Sequence, residues 1–146
     1  MRLQKRLMKL INIFVITFSF VLNSWAGSEV MTIDTVRLHS MIVDNAYRIE
    51  AGREKQFMVI DARTKGEYDE THIFSAISIP VKDFEKSVNL LPRDKGILIV
   101  VYDNGINSGT SVQWVVKATT AGYTNIVIYS EGFPVWKQKH MPIAPL

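Results

Sequence analysis

Three short apolar runs constrain this chain more than any other feature: FMVID at 57–61, GILIVVY at 96–102 and NIVIY at 125–129. Each is rich in strand-forming residues and apolar at nearly every position rather than at alternate ones. A strand covered on both faces reads this way, and such strands belong to parallel sheets. The intervening segments read as helices. Asp34 is placed to cap a helix carrying Val36, Leu38, Met41, Ile42 and Ala46 as one apolar face, fading near Ala51-Gly52. AISIP adds a strand ending at Pro80, which cannot donate to a ladder. A short amphipathic piece over 81–91 closes at Pro92, and a helix over 109–121 stops at Gly122. GFPVWKQKH then makes a turn and a last short helix. Strands alternating with helices imply βαβ units and a parallel sheet covered on both faces. Trp114 and Trp136 fall at helical positions and read as core, whereas Tyr102 can point either way. No internal repeat, low-complexity tract or second domain interrupts the pattern.

Residues 27–32 read as a lead-in to this pattern, and residues 1–26 stand apart from it. Arg2, Lys5, Arg6 and Lys9 precede the apolar run LINIFVITFSFVL at 10–22, and small residues follow at Ser24 and Ala26. This is the layout of a secretory signal peptide with cleavage expected after Ala26, which places the mature chain in the periplasm or outside the cell without stable membrane insertion. The alternative is an uncleaved anchor, for which the run is short against the ~20 residues of a bilayer span. The segment holds four of the 17 basic residues and none of the 14 acidic ones, so the remainder carries a net charge of −1. The basic balance belongs to the targeting signal, and no Lys/Arg cluster with interleaved aromatics remains to bind nucleic acid.

The chain has no cysteine. Disulfides, thiolate catalysis, cysteine metal sites and a lipoprotein anchor are therefore excluded. His39, His72 and His140 lack ligand spacing, so neither a metal nor another cofactor is expected.

In open α/β sheets ligands bind beyond the carboxyl ends of the strands. Asp61-Ala62-Arg63, Pro80 and Tyr102-Asp103 are such ends. The loop after Tyr102 comprises Asp103, Asn104, Gly105, Ile106, Asn107, Ser108 and Gly109, mostly residues that tolerate unusual backbone angles. Feeding a helix N-terminus, it can turn several N–H groups inward as an anion cradle. It lacks the lysine of a P-loop.

The order and spacing of Asp61-Ala62-Arg63, Glu67-Tyr68, His72-Ile73, Ala76, Ser78 to Pro80, Gly122-Tyr123, Asn125 and Glu131-Gly132-Phe133-Pro134 with Trp136 resemble the rhodanese-homology domain. The resemblance implies one rhodanese-like domain over 33–143 with a central, mainly parallel five-stranded sheet and helices on both faces. It also implies a loop cysteine that carries sulfane sulfur as a persulfide, and the position matching that cysteine is Asp103. The loop is similar to a subgroup reading Cys-x-Gly-x-x-Cys-x-x-Ser: Gly105 and Ser111 match, but Asp103 and Ser108 replace both cysteines. His72 is preceded by Thr71 where the family usually has glycine. In such a domain Asp61, Arg63 and Glu67 read first as a structural ion-paired cluster beneath the loop, with Arg63 as an alternative receiver of an anion. His72 reads as a hydrogen-bonded structural residue near a strand start.

A carboxylate cannot carry sulfane sulfur, since persulfide transfer needs a thiolate that forms and breaks an S–S bond. Three readings of Asp103 stay open. Its carboxylate can accept loop and helix N–H bonds and fill the anion position itself; the loop and cleft can contact a partner protein or a small anionic ligand; or Asp103 can act as a nucleophile or base in altered chemistry such as phosphoryl transfer. The expectation is an exported binding or regulatory module without sulfurtransferase activity, with an enzyme centred on Asp103 as the alternative.

Overall fold

Val, Ile and Leu crowd the three apolar runs, and in the computed structural model, which describes residues 30–145, those runs form the middle of the sheet. The strands are β1 (Thr32–Ile33), β2 (Phe57–Asp61), β3 (His72–Ile73), β4 (Ile77–Ser78), β5 (Leu98–Tyr102), β6 (Ile126–Tyr129) and β7 (Ile143–Ala144). Five of them make one parallel sheet in the order β1-β6-β5-β2-β4. The expected signal segment lies outside the described residues. Among the described residues no helix is long and apolar enough to cross a membrane.

The period of two along β5 divides the core. Val100 and Tyr102 face one side with Leu38, Ile42, Tyr129, Phe133 and Trp136. Ile99 and Val101 face the other, with Ile60, Trp114, Ala118 and Tyr123. Helices α1 (Thr35–Glu50) and α5 (Gly132–Gln138) thus cover the first face, while α4 (Thr110–Thr120) and the turn of helix α3 (Phe84–Ser87) cover the second. Both Trp114 and Trp136 are fully buried. The α/β layering with helices on both faces is the expected one.

Several elements depart from the expectations. Asp34 does cap α1, its carboxylate accepting from Arg37 N at 2.8 Å. The apolar residues of α1 do not share one face, however: Leu38 and Ile42 are buried while Val36 and Ala46 are exposed. The inner face is completed instead by Thr35 and Asn45, the latter accepting from Gln56 N at 3.0 Å. Polar side chains with local hydrogen-bond partners can occupy core positions that a hydrophobicity pattern assigns to valine or alanine. Thr32, in the stretch read as a lead-in, opens edge strand β1 and pairs with Ile128 of β6. Helix α2 (Lys65–Glu70) and the small antiparallel pair β3-β7 (His72 with Ala144, Ile73 with Ile143) add to the pattern read from sequence.

Candidate functional site

The parallel register brings Asp61, Tyr102 and Tyr129 level at the carboxyl ends of β2, β5 and β6. Beyond Tyr102 the chain must turn sharply into α4, and it does so through Gly105 (φ 101°) and Gly109 (φ 67°), the latter being the residue before the helix. Ser108 N donates to Gly105 O at 2.8 Å and closes the turn, and Ser108 Oγ donates to Thr110 Oγ1 at 2.9 Å.

Asp103 sits at the centre of this turn and is only 2% exposed. Its Oδ1 accepts from Gly105 N at 2.8 Å and its Oδ2 from Ser111 N at 2.7 Å, in the first turn of α4. The bond from Ser111 N is to a free amide at a helix N-terminus, where negative charge is favoured, and the bond from Gly105 N closes the turn within the loop. The carboxylate therefore lies inside the loop with both oxygens engaged.

The loop is held from behind by the segment Glu131-Gly132-Phe133. Phe133 N donates to Asp103 O at 2.9 Å. Gly132 (φ 71°) lies so close that an added Cβ would stand 2.3 Å from Gly105 N and 2.8 Å from Asp103 O. Only glycine fits there, on both steric and conformational grounds. Glu131 in turn anchors the start of α1: its Oε2 accepts from Thr35 N at 2.7 Å and Thr35 Oγ1 at 2.5 Å, and its Oε1 accepts from Lys139 Nζ at 3.0 Å. Thr35 Oγ1 also meets the Tyr129 hydroxyl at 2.7 Å, and burial pushes that phenol up to about 12.

Beneath the loop, Asp61 and Arg63 form a buried pair. Arg63 Nη2 reaches Asp61 Oδ2 at 2.7 Å, Nε lies 3.1 Å from both carboxylate oxygens, and Nη2 also donates to Thr71 O at 2.7 Å. Its guanidinium carbon stands 4.0 Å from the centroid of the Phe133 ring. Burial acts to lower the guanidinium pKa, but the hydrogen bond and charge of Asp61 outweigh it and the net shift is upward. Tyr102 points inward: its hydroxyl donates to Asp61 Oδ2 at 2.5 Å and accepts from Ile73 N at 3.1 Å. Burial, reinforced by the negative charge of Asp61, pushes its pKa upward, so the phenol stays neutral.

Glu67 does not join this pair. Its Oε2 accepts from Thr64 N at 3.0 Å and Thr64 Oγ1 at 2.6 Å, capping α2, and its Oε1 accepts from Asn104 Nδ2 at 2.7 Å. The hydrogen bonds from Thr64 and then Asn104 hold its carboxyl below the usual range. The expected three-residue ion cluster is thus a two-residue pair plus a separate strut from α2 to the loop. His72 opens β3 with Nδ1 2.8 Å from Tyr68 O and its ring stacked on Tyr68, centroids 3.7 Å apart.

The seven loop residues are not one inward ring. Asp103 and Gly105 are buried, Asn104 reaches sideways to Glu67, Ile106 is 85% exposed, and Asn107 faces solvent. An open recess of about 280 Å³ lies alongside, walled by Ala62, Thr64, Pro80, Lys82 and Ser108 among others; Asp103 does not line it. Thr64 and Ser111 also belong to the site; the sequence marked Ser111 only as a match to the loop pattern and did not single out Thr64. The signal for Ser111 was its place two residues past Gly109, where a helix presents free amides. The signal for Thr64 was the Thr-x-x-Glu capping pattern.

Comparison with known proteins agrees with this geometry. A family model described as Rhodanese-like domain matches residues 45–139. The chain is 24% identical over 127 residues to a thiosulfate:glutathione sulfurtransferase of Saccharomyces cerevisiae, covering 80% of this chain and 90% of that one. It is 24% identical over 91 residues to the thiosulfate sulfurtransferase GlpE of Coxiella burnetii, covering 62% of this chain and 81% of that one. Among solved structures, the rhodanese-like domain of the Alr3790 protein from Anabaena sp. superposes with a TM-score of 0.60 at 26% identity over 79% of both chains. A full-length protein from Lactobacillus plantarum shares the fold, with a TM-score of 0.63 at 20% identity over 92% of this chain and 99% of that one.

Proposed function

The chain belongs to the rhodanese-like domain family, and from that premise we propose that it is a member without sulfurtransferase activity, exported and serving as a binding or regulatory module. One observation carries the reading: the chain holds no cysteine, and Asp103, at the position of the sulfur-carrying residue, has both carboxylate oxygens bonded to Gly105 N and Ser111 N. Sulfane sulfur transfer needs a thiolate to attack the donor and a sulfur–sulfur bond to hold the product. A carboxylate supplies neither, and no other thiol stands in. The activity named for the yeast and Coxiella relatives is therefore not carried over.

The same carboxylate supports a self-occupied loop. It supplies an internal anion to the buried amides of Gly105 and Ser111, so an external anion competes with a covalently attached one. Export rests on the charged, apolar and small-residue order of residues 1–26. The partner is a protein or a small anionic ligand meeting the loop and the recess beside it.

The test is turnover of thiosulfate with cyanide, and of a generic phosphate ester, by the purified protein and by Asp103→Asn. The expected result is background with both substrates. Phosphate-ester turnover lost in Asp103→Asn would replace this reading with an enzyme of altered chemistry centred on Asp103.

A further inference from the structure

The outward face of α1 carries a pattern that the site does not use. Leu38, Ile42 and Asn45 bury the inner face, while Val36, Val43 and Tyr47 lie 71%, 38% and 69% exposed on the opposite side. With the exposed Ser40 between them, these residues recur at intervals of four, three and four. That is the seam spacing of a helix that packs along another helix. Val43, Ala46, Tyr47 and Glu50 surround a surface hollow of about 290 Å³. Residues at i, i+3, i+4 and i+7 are the four that form the hole for one knob in such packing.

Charge decides the occupant. Arg37 and Asp44, seven residues apart, flank the seam on the same side and are both exposed. Neither takes part in the ion pairs found among the described residues. A second copy of α1 laid antiparallel sets Arg37 of each chain opposite Asp44 of the other, so the two-fold axis forms the ion pair twice. In that register Val36 of the second copy enters the hollow beside Tyr47, and Ser40 faces Val43, small against large. A parallel copy would set like charges level with one another, which is unfavourable.

We propose that α1 is a self-association surface through which two copies of this chain form an antiparallel helix pair, with a seam of Val36, Ser40, Val43 and Tyr47 and reciprocal Arg37–Asp44 pairs. This goes beyond the binding role proposed for the loop and does not depend on it. From Val36 to Tyr47 the seam is roughly 16 Å long at ~1.5 Å per residue. So short a contact lies below the ~1,000 Å² expected of stable interfaces. The dimer is therefore weak and reversible, with a Kd on the order of 10–100 µM.

The test is sedimentation velocity on protein purified after expression of the full chain, over about 5–500 µM to bracket that Kd. The expected mass rises from one chain toward two. Arg37→Asp and Asp44→Arg each weaken association about tenfold, since each sets like charges together. The double variant Arg37→Asp/Asp44→Arg restores it, because the pairs re-form with reversed polarity. Val43→Asp abolishes association, and all three substituted positions are exposed, so circular dichroism of each variant should match the parent. A chain that stays monomeric across the range, association that survives Val43→Asp, or a double variant no better than the singles would each overturn the proposal.

Discussion

At the scale of single residues the loop is decided by a few side chains that have no room to vary. Gly132 is the sharpest case, because an added Cβ would meet Gly105 N at 2.3 Å and its φ of 71° is strained for any other residue. Gly132→Ala is expected to destabilise the fold by about 2–4 kcal/mol, combining overpacking with backbone strain. Gly122→Ala, at φ 94° with nothing within 4 Å of the added atom, should cost only about 1–2 kcal/mol; urea denaturation of the two variants checks the ordering. Asp103 offers a second test, since the chain contains no other thiol to confuse it. In Asp103→Cys the sulfur takes the place of oxygens that now accept from Gly105 N and Ser111 N, amides that favour the thiolate. The thiol is expected to titrate below the ordinary ~8.5 of a free cysteine, read from the pH dependence of its alkylation. A thiol inert to alkylation at neutral pH would mean that the loop closes over the position instead of cradling it.

At the scale of elements, two carboxylates couple the loop to helix starts and give the fold an acid-sensitive side. Glu67 caps α2 and holds Asn104, and Glu131 caps α1 and holds Lys139. Hydrogen bonds from Thr64 lower the Glu67 pKa and those from Thr35 lower that of Glu131. A folded-state pKa below the unfolded value means the unfolded chain binds the proton more readily, so stability is full above the usual carboxylate range and is lost as pH falls through the depressed values. Glu67→Gln can accept from Asn104 or from Thr64 but not from both, since its NH2 faces the other donor; it should lower stability at neutral pH and, lacking a titrating group, flatten the acid limb of a stability–pH curve. A limb as steep as the parent's would remove Glu67 from this role. These couplings show where sequence reading stops. The strands β2, β5 and β6 were legible because each is a continuous apolar run, and Asp34, Gly109 and Gly122 marked the helix ends. Of the two-residue strands only β4 was legible, inside the run AISIP; β1, β3 and β7 are too short to leave a pattern and exist only through their partners. The position of Asp103 was legible from the strand-to-loop transition. The separation of Glu67 from the Asp61–Arg63 pair was not, since sequence proximity is silent on which way a side chain turns. Tyr102 stood undecided until the register placed it beside Asp61. In α1, Val36 passed for core because three-to-four spacing marks an apolar face without saying whether the sheet or another chain covers it.

At the scale of the whole molecule, a rhodanese-like domain in a chain without cysteine sets Asp103 in a loop backed by the buried Asp61–Arg63 pair and by the close approach of Gly132 to Gly105. The architecture around Asp103 is fully bonded: β5 delivers it, α4 and Gly105 receive its oxygens, and Phe133 N holds its carbonyl. Nothing in this arrangement depends on sulfur. The most direct measurement is intact-mass spectrometry of the purified protein after incubation with thiosulfate, run alongside the rate of thiocyanate formation when cyanide is added. The expected result is an unchanged mass and a rate equal to the protein-free control. A protein-bound sulfur adduct, or thiocyanate formed in proportion to protein concentration, would contradict the reading of Asp103 as an internal anion in a loop without sulfur chemistry.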